Sequence, residues 1–343
     1  MASLSSLFGY ILNFIYSLVH NYGVAIIIFS FLLKLLLLPI SIKQQKTMKK
    51  TAKIQGKAKE LQEKYKNDPN KMNQEIMALY KQENVSPLGG CLPAILQLVF
   101  LLAMFGLVRN PITYMLKQNP EVINKVANYI QLENNNINRG YPQISILKYV
   151  SNNRGKTIDL GVIDYIEENK EEKTDNEELI KKYNEQKNTA ESEENKNEEN
   201  LVDLDSLYIN MNFLGLDLSN IPQENWNDWT VFVIPVLYVI TSMISMKVAT
   251  KLTSPKDKKE IIEVEKEEQE ANEEEKQEKK EDLSPEDMSA QMSKSMTWFM
   301  PIMSVSISLV APLGLALYWL VNNMLMIVER VVLNKVLKTE GEE

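Results

Sequence analysis

Long uncharged stretches alternate with strongly charged segments along this chain. Residues 1–42 contain one formal charge, Lys34, and residues 88–108, 229–246 and 295–328 contain none. An uncharged run of about 18 residues or more is long enough to cross the hydrocarbon layer of a bilayer as a helix, whereas core helices of soluble proteins are interrupted sooner. The pattern therefore predicts an all-α membrane protein.

The uncharged runs predict five transmembrane helices. The last run is too long for one crossing, and Pro312 and Gly314 near its middle favour a tight turn between two short spans. The expected spans are residues 22–42, 88–110, 229–249, 295–311 and 312–335.

Residues 1–21 differ from these spans because they carry a polar stripe. Apolar side chains recur there at spacings of three and four, and Asn13, Ser17 and His20 lie on the other side. This pattern predicts an amphipathic helix in the membrane interface. A first membrane span is the alternative.

Residues 43–87 read as a hairpin of two helices. The segment Asn67 to Asn70 is expected to turn the chain, with Asp68 as N-cap and Pro69 at the first helical position. The second arm presents Met72 and Ile76 at helical spacing. These side chains either pack against the first arm, which we favour, or form a docking surface.

Lysine placement predicts the orientation. Residues 43–87 hold eleven lysines against five acids, and Lys247, Lys251, Lys256, Lys258 and Lys259 crowd the end of the third span. Because lysine and arginine concentrate on the cytosolic side, we expect residues 43–87, 250–294 and the tail 336–343 in the cytosol. The long segment 111–228 and the N-terminus are then outside. The Glu- and Lys-rich stretches 167–200 and 256–287 are expected to be flexible or solvated helical segments without catalytic content.

Composition excludes several kinds of chemistry. The 343 residues carry a net charge of −8, which by itself suggests a soluble acidic protein, yet the charges avoid the uncharged runs. One cysteine, Cys91, permits no internal disulfide, and one histidine leaves no Cys/His metal cluster. Serine, histidine and acidic residues form no recognisable catalytic arrangement. We therefore expect no catalytic residues, no metal and no cofactor, and a structural role for Cys91.

Lys34 is the one charge inside a predicted span. It lies about 12 Å from the expected cytosolic end near Ile42, and placing lysine there costs about 3 kcal/mol on insertion scales. We favour a water-filled cavity around Lys34 over an ion pair with Glu329, the alternative. Polar residues of the other spans fall in the same cytosolic half, which predicts a hydrophilic pocket open to the cytosol. The candidate site residues are Lys34, Gln97, Ser242, Ser304, Asn322 and Asn323.

Several stretches in order along the chain resemble the YidC/Oxa/Alb family of membrane protein insertases. They are YGVAIIIFSFLLKLLLLP at 22–39, NVSPLGGCLP at 84–93, FLGLDL at 213–218, WFMPIM at 298–303 and PLGLALYWLVNN at 312–323. The resemblance implies a five-span core, a functional cytosolic hairpin, and a groove whose charged residue receives the hydrophilic part of a client. It implies a bacterial cytoplasmic membrane location and nascent membrane proteins as clients. Further partners would be membrane lipid and, through residues 43–87, the Sec translocon, the ribosome and the signal-recognition-particle receptor, with no specific nucleic-acid sequence.

The chain departs from the family pattern in three places. Lys34 replaces the usual arginine, so a flexible point charge takes the place of a planar fork. The segments 111–228 and 250–294 are enlarged. The tail after Lys338 is short and acidic, so we expect the basic ribosome-binding tail of some relatives to be absent.

Two other classes of function stay open at this point. One is a small-molecule or ion channel or transporter, which a pocket sealed on one side and the lack of a convincing internal repeat disfavour. The other is a scaffold whose acidic loops recruit partners.

Overall fold

The computed structural model describes residues 2–65, 68–83, 92–133, 136–169, 176–190, 200–253 and 306–339. Most of these residues are helical, which agrees with the predicted class. The α-helices are α1 (Ala2–Val19), α2 (Tyr22–Lys64), α3 (Pro69–Gln82), α4 (Leu92–Arg109), α5 (Pro111–Tyr114), α6 (Pro120–Leu132), α7 (Pro142–Asn152), α8 (Gly161–Asn169), α9 (Asn176–Ala190), α10 (Val233–Thr253) and α11 (Leu313–Thr339).

Four helical stretches are long and apolar enough to cross a membrane. They are Ala2–Val19, Tyr22–Thr47, Trp229–Val248 and Leu313–Val336, and Leu98–Arg109 is a shorter apolar helix. Residues 295–305 of the predicted fourth span, 295–311, lie outside the described residues. Cys91 and residues 254–294 lie outside them as well. The exact count of five spans therefore stays a prediction.

The described chain forms two compact units. The first comprises Met1–Phe29, Phe100–Phe232 and Val310–Tyr318, and the second comprises Ser30–Val99, Val233–Leu309 and Trp319–Glu343.

In the first unit, α1 packs closely through small residues. The Ser5 hydroxyl donates to the carbonyl oxygen of Ala103 at 2.9 Å. A Cβ atom on Gly9 would lie 2.3 Å from the carbonyl oxygen of Tyr114, so only glycine fits there. The Phe8 ring meets Phe29 edge-on with centroids 5.4 Å apart. These contacts bury one face of α1.

In the first unit, residues on either side of a short β-hairpin accept hydrogen bonds from the first N–H groups of two helices. Strands β3 (Asn212–Phe213) and β4 (Leu216–Asp217) pair antiparallel around a two-residue turn, with Leu214 at φ 51° and Gly215 at φ 82°. The N–H of Tyr22 donates to the carbonyl of Asn210 at 3.0 Å, and the N–H of Leu313 donates to Asn220 at 2.9 Å. Because the first N–H groups of a helix lack partners within it, this segment completes the starts of α2 and α11.

The remainder of the first unit contains a small separate core. Val162, Ile163, Ile166 and Leu179 are buried between α8 and α9. Strands β1 (Thr157–Asp159) and β2 (Leu201–Asp203) pair antiparallel beside them. The low-complexity stretch 167–200 thus contains a solvated helix, α9, that Leu179 anchors.

In the second unit, the predicted helix start at Pro69 is confirmed. The Asp68 carboxylate accepts a hydrogen bond from the N–H of Lys71 at 3.1 Å, and Pro69 occupies the first helical position of α3. On α2, Lys57 forms an ion pair with Glu83 at 2.9 Å, which joins α2 to the end of α3.

Asp159 should make the α8–α9 layer sensitive to acid. Burial raises the pKa of its carboxyl, but hydrogen bonds from Lys187, Tyr183 and the N–H of Gly161 outweigh burial and lower that pKa below its ordinary value. The contribution of this carboxylate to stability is then complete above about pH 4 and is lost as the pH falls through the lowered pKa. We expect hydrogen-exchange protection of α8 and α9 to hold from about pH 7 to pH 5 and to fall below about pH 4.

Asp159→Asn should lower that protection at neutral pH and abolish most of its fall in acid. Asp228→Asn is the control, because the Asp228 carboxylate accepts from nearby Thr230 rather than from this layer. An unchanged acid transition in Asp159→Asn would contradict the assignment.

Candidate functional site

Polar side chains join α10 to α11 within the second unit. The amide of Asn323 donates to the Ser242 hydroxyl at 2.9 Å and to the Thr241 hydroxyl at 3.4 Å. Asn323 is only 7% exposed. Two predicted site residues, Asn323 and Ser242, are therefore in direct contact, and a buried amide obtains the partners that it needs.

The same pair of helix faces continues in both directions from this contact. The Tyr238 and Trp319 rings lie 5.9 Å apart, four residues before Ser242 and Asn323 respectively. Farther along, the guanidinium of Arg330 donates to the carbonyl oxygen of Ser245 at 3.4 Å. Spacings of three, four and seven residues return to one side of a helix, so these residues form a continuous α10–α11 seam.

A second side of α11 carries the ion pair of the site. Lys34 Nζ on α2 lies 2.7 Å from Glu329 Oε2, and the side chains are 21% and 10% exposed. Asn322 precedes Glu329 by seven residues, which is nearly two helical turns, so it lies on the same side about 10 Å along the axis. Asn322 is half-buried. We call Lys34, Asn322 and Glu329 the charged face.

The ion pair is the arrangement that the sequence disfavoured for Lys34. We expected hydration because no acidic residue lies deep in another predicted span. Counted from the expected span ends, however, Lys34 lies about 12 Å and Glu329 about 9 Å inward, and a lysine stem bridges such a difference. An unpaired ammonium among apolar helices costs more than a paired one.

The side chains of the other two predicted site residues lie outside the described part of the chain. Gln97 belongs to α4, but its side chain is outside the described part of the chain, and Ser304 is outside it altogether. Arg330 was missed by sequence reasoning. Its signal was its position one residue after Glu329 at the edge of an uncharged run.

The site offers binding groups and little reactive chemistry. It presents one ammonium, one carboxylate, one guanidinium, amides and hydroxyls. Among the described residues, no group of three or more His, Cys, Asp or Glu side chains could hold a metal ion. Such a set of groups can bind and solvate a polar peptide within an apolar surrounding.

Comparison with known proteins places the chain in a family. The sequence pattern of the family described as 60Kd inner membrane protein matches residues 14–148 and 201–340. The chain belongs to this family. The matched residues include Lys34, Glu329 and the α10–α11 seam, and they leave out all of α8 and α9.

Several curated relatives are named membrane protein insertase YidC. The protein of Chlorobium phaeovibrioides is 51% identical over 94 residues, which are 27% of this chain and 16% of the relative. That of Caldanaerobacter subterraneus is 45% identical over 109 residues, 32% of this chain and 53% of the relative. That of Syntrophus aciditrophicus is 50% identical over 94 residues, 27% of this chain and 17% of the relative. The alignments thus span about half or less of these relatives.

These findings support a multi-pass protein of the cytoplasmic membrane. The four long apolar helices have the length and composition typical of a chain that crosses a bilayer several times. The relatives are named as insertases and not as catalysts of a covalent reaction.

Removing one member of the ion pair should destabilise the protein more than replacing both. Glu329→Met leaves Lys34 without its partner, and we expect a loss of about 3 kcal/mol in the free energy of unfolding. The double variant K34M/E329M should lie within about 1 kcal/mol of the parent, because two apolar side chains of similar length need no ionic partner. Denaturant unfolding in mixed micelles measures both. Additive losses in the double variant would show that the two groups are not coupled.

Proposed function

We propose that this protein is a membrane protein insertase, which places transmembrane segments of client proteins into the bacterial cytoplasmic membrane. The observation that carries the proposal is the Lys34–Glu329 pair beside the Asn323–Ser242 contact. Charged and polar groups within long apolar helices are costly and mark functional sites in membrane proteins. Membership of the family and the name of the relatives agree with this function.

The charged face would act as a groove for the hydrophilic flank of a client. A client segment that must cross the bilayer carries peptide groups and charges that lose hydration in lipid. Lys34 and Asn322 would replace part of that hydration, while the apolar part of the client passes sideways into lipid. The groove would therefore lower the barrier to insertion without hydrolysing a nucleotide. Gln97 and Ser304 are proposed as further groove residues.

The proposed topology has five spans with the N-terminus outside and the C-terminus in the cytosol. In it, α1 lies in the outer interface. One side of α1 is buried against protein, a second side exposes Leu7, Phe14 and Leu18, and Asn13 with Ser17 form the polar stripe. A helix with both a lipid-facing side and a polar stripe suits the boundary between lipid and water.

The segment 43–87 is proposed as a cytosolic helical hairpin. The Lys57–Glu83 ion pair ties its two arms together, and the Asp68 cap marks the turn. Its lysines would give an electrostatic surface for the ribosome, without preference for a nucleic-acid sequence. The Sec translocon and the signal-recognition-particle receptor are further proposed partners of this hairpin, and membrane lipid surrounds the spans.

Purified protein in liposomes should insert a short single-span client without ATP, and Lys34 should matter through its charge. We expect Lys34→Ala to reduce insertion about tenfold or more, since the loss of about 1.4 kcal/mol of barrier stabilisation corresponds to a factor of ten. Lys34→Arg should retain most of the activity. Protease protection of the client measures insertion.

Lys148→Ala is the matched control, because this lysine contacts Asn220 outside the predicted spans. It should insert as the parent does. Normal insertion by Lys34→Ala would refute the groove, and ion or solute flux without insertion would favour a transporter.

A further inference from the structure

Glu329 has a binding capacity that the ion pair does not use. Its Oε2 atom accepts from Lys34, but its Oε1 atom is buried and has no hydrogen-bond partner within the described part of the chain. The side chain is nine-tenths buried. A carboxylate oxygen can accept two hydrogen bonds, and a buried acceptor without a donor is unfavourable. The site therefore contains an unfilled acceptor next to Lys34.

The charged groups nearest to this buried oxygen do not donate to it. Arg330 follows Glu329 directly, but it is turned by about 100° around α11 and donates to Ser245 on α10. Lys34 is already engaged with the other oxygen of the same carboxylate. A donor that fills the position must come from outside this set of residues.

We propose that Glu329 is a second client-binding residue, which accepts a hydrogen bond from a cationic group in the client's hydrophilic flank. The ligand class is an ammonium or guanidinium, from lysine, arginine or an N-terminal amine. This inference rests on the proposed insertase function. The charged face is then bipolar: Lys34 binds client carboxylates in competition with Glu329, and Glu329 Oε1, which has no donor within the described part of the chain, accepts from client cations.

The bipolar arrangement has different consequences for the two kinds of client. An anionic flank must compete with Glu329 for Lys34, because both carboxylates need the same ammonium group. A cationic flank that reaches Oε1 as the side chains covering it move aside can donate to it without breaking the Lys34–Glu329 pair. Glu329 therefore disfavours acidic flanks and favours basic ones, and in this way determines client specificity.

The test uses three single-span clients that differ at one flank position, which holds lysine, aspartate or serine. The full-length protein is reconstituted in liposomes of neutral lipid without a membrane potential, so that neither surface charge nor voltage acts on the flank. Glu329→Gln keeps the size of the side chain and removes its charge. We expect it to lower insertion of the lysine client about fivefold relative to the serine client, and to leave unchanged or increase insertion of the aspartate client.

A second variant separates client binding from mere folding. In K34E/E329K the ion pair is retained with its polarity reversed, and the free hydrogen-bonding capacity on α11 becomes that of an ammonium. We expect the preference to reverse in favour of the aspartate client. Equal changes for all three clients in Glu329→Gln, or a parental preference in the reversed pair, would overturn the proposal and leave Glu329 a structural partner of Lys34.

Failure of the proposed function itself gives a different result. In that case the parent protein inserts none of the three clients above the level of empty liposomes. A parent that inserts all three clients, together with a Glu329→Gln variant that changes insertion of all three by the same factor, would refute only the role of Glu329.

Discussion

A charge inside the apolar part of a membrane protein must be compensated, and this constraint organises the second unit of the structure. Lys34 is the one charged residue between Tyr22 and Ile42 on α2, and its ammonium group is paired with Glu329 at 2.7 Å. Isolated charges in such surroundings are expensive, whereas a hydrogen-bonded pair retains much of the stabilisation that water would provide. The pair fixes which sides of α2 and α11 approach each other.

The polar contacts of the other side of α11 follow from the same constraint. Along the α10–α11 seam the Asn323 amide donates to the Ser242 hydroxyl, and the backbone carbonyl of Ser245 accepts from Arg330, so these polar groups obtain partners within the protein. At about 100° per residue, Met326 lies between the seam and the charged face around the axis of α11. One side of α11 has its polar groups hydrogen-bonded within the protein, and another side carries the Glu329 carboxylate, of which only one oxygen accepts a hydrogen bond within the described part of the chain. Such a helix can be stable and still bind a ligand. This division of α11 links the packing of the spans to the proposed groove.

The charge distribution predicted the long apolar helices because charged side chains are excluded from such helices. The uncharged runs located the apolar part of α2, α10 and α11, and a local signal, Asp68 before Pro69, located the start of α3. The depth of polar residues brought Asn323 and Ser242 into one candidate site. The sequence alone did not distinguish hydration of Lys34 from its ion pairing, because the outcome depends on which sides of two helices face each other. The β1–β2 pairing and the α8–α9 core were missed for a similar reason, since three-residue strands that meet across about forty residues leave no periodic signal.

The central claim is that the hydrophilic flank of a client contacts the charged face of α11 during insertion. Site-specific photocrosslinking to a stalled nascent membrane protein tests it most directly, with the probe at Asn322. The control probe is at Met324, which is 52% exposed and lies at nearly the same depth on the opposite side of the helix. The account predicts crosslinks from position 322 to the hydrophilic flank of the client and few from position 324. Equal crosslinking from both positions, or none from position 322, would contradict it.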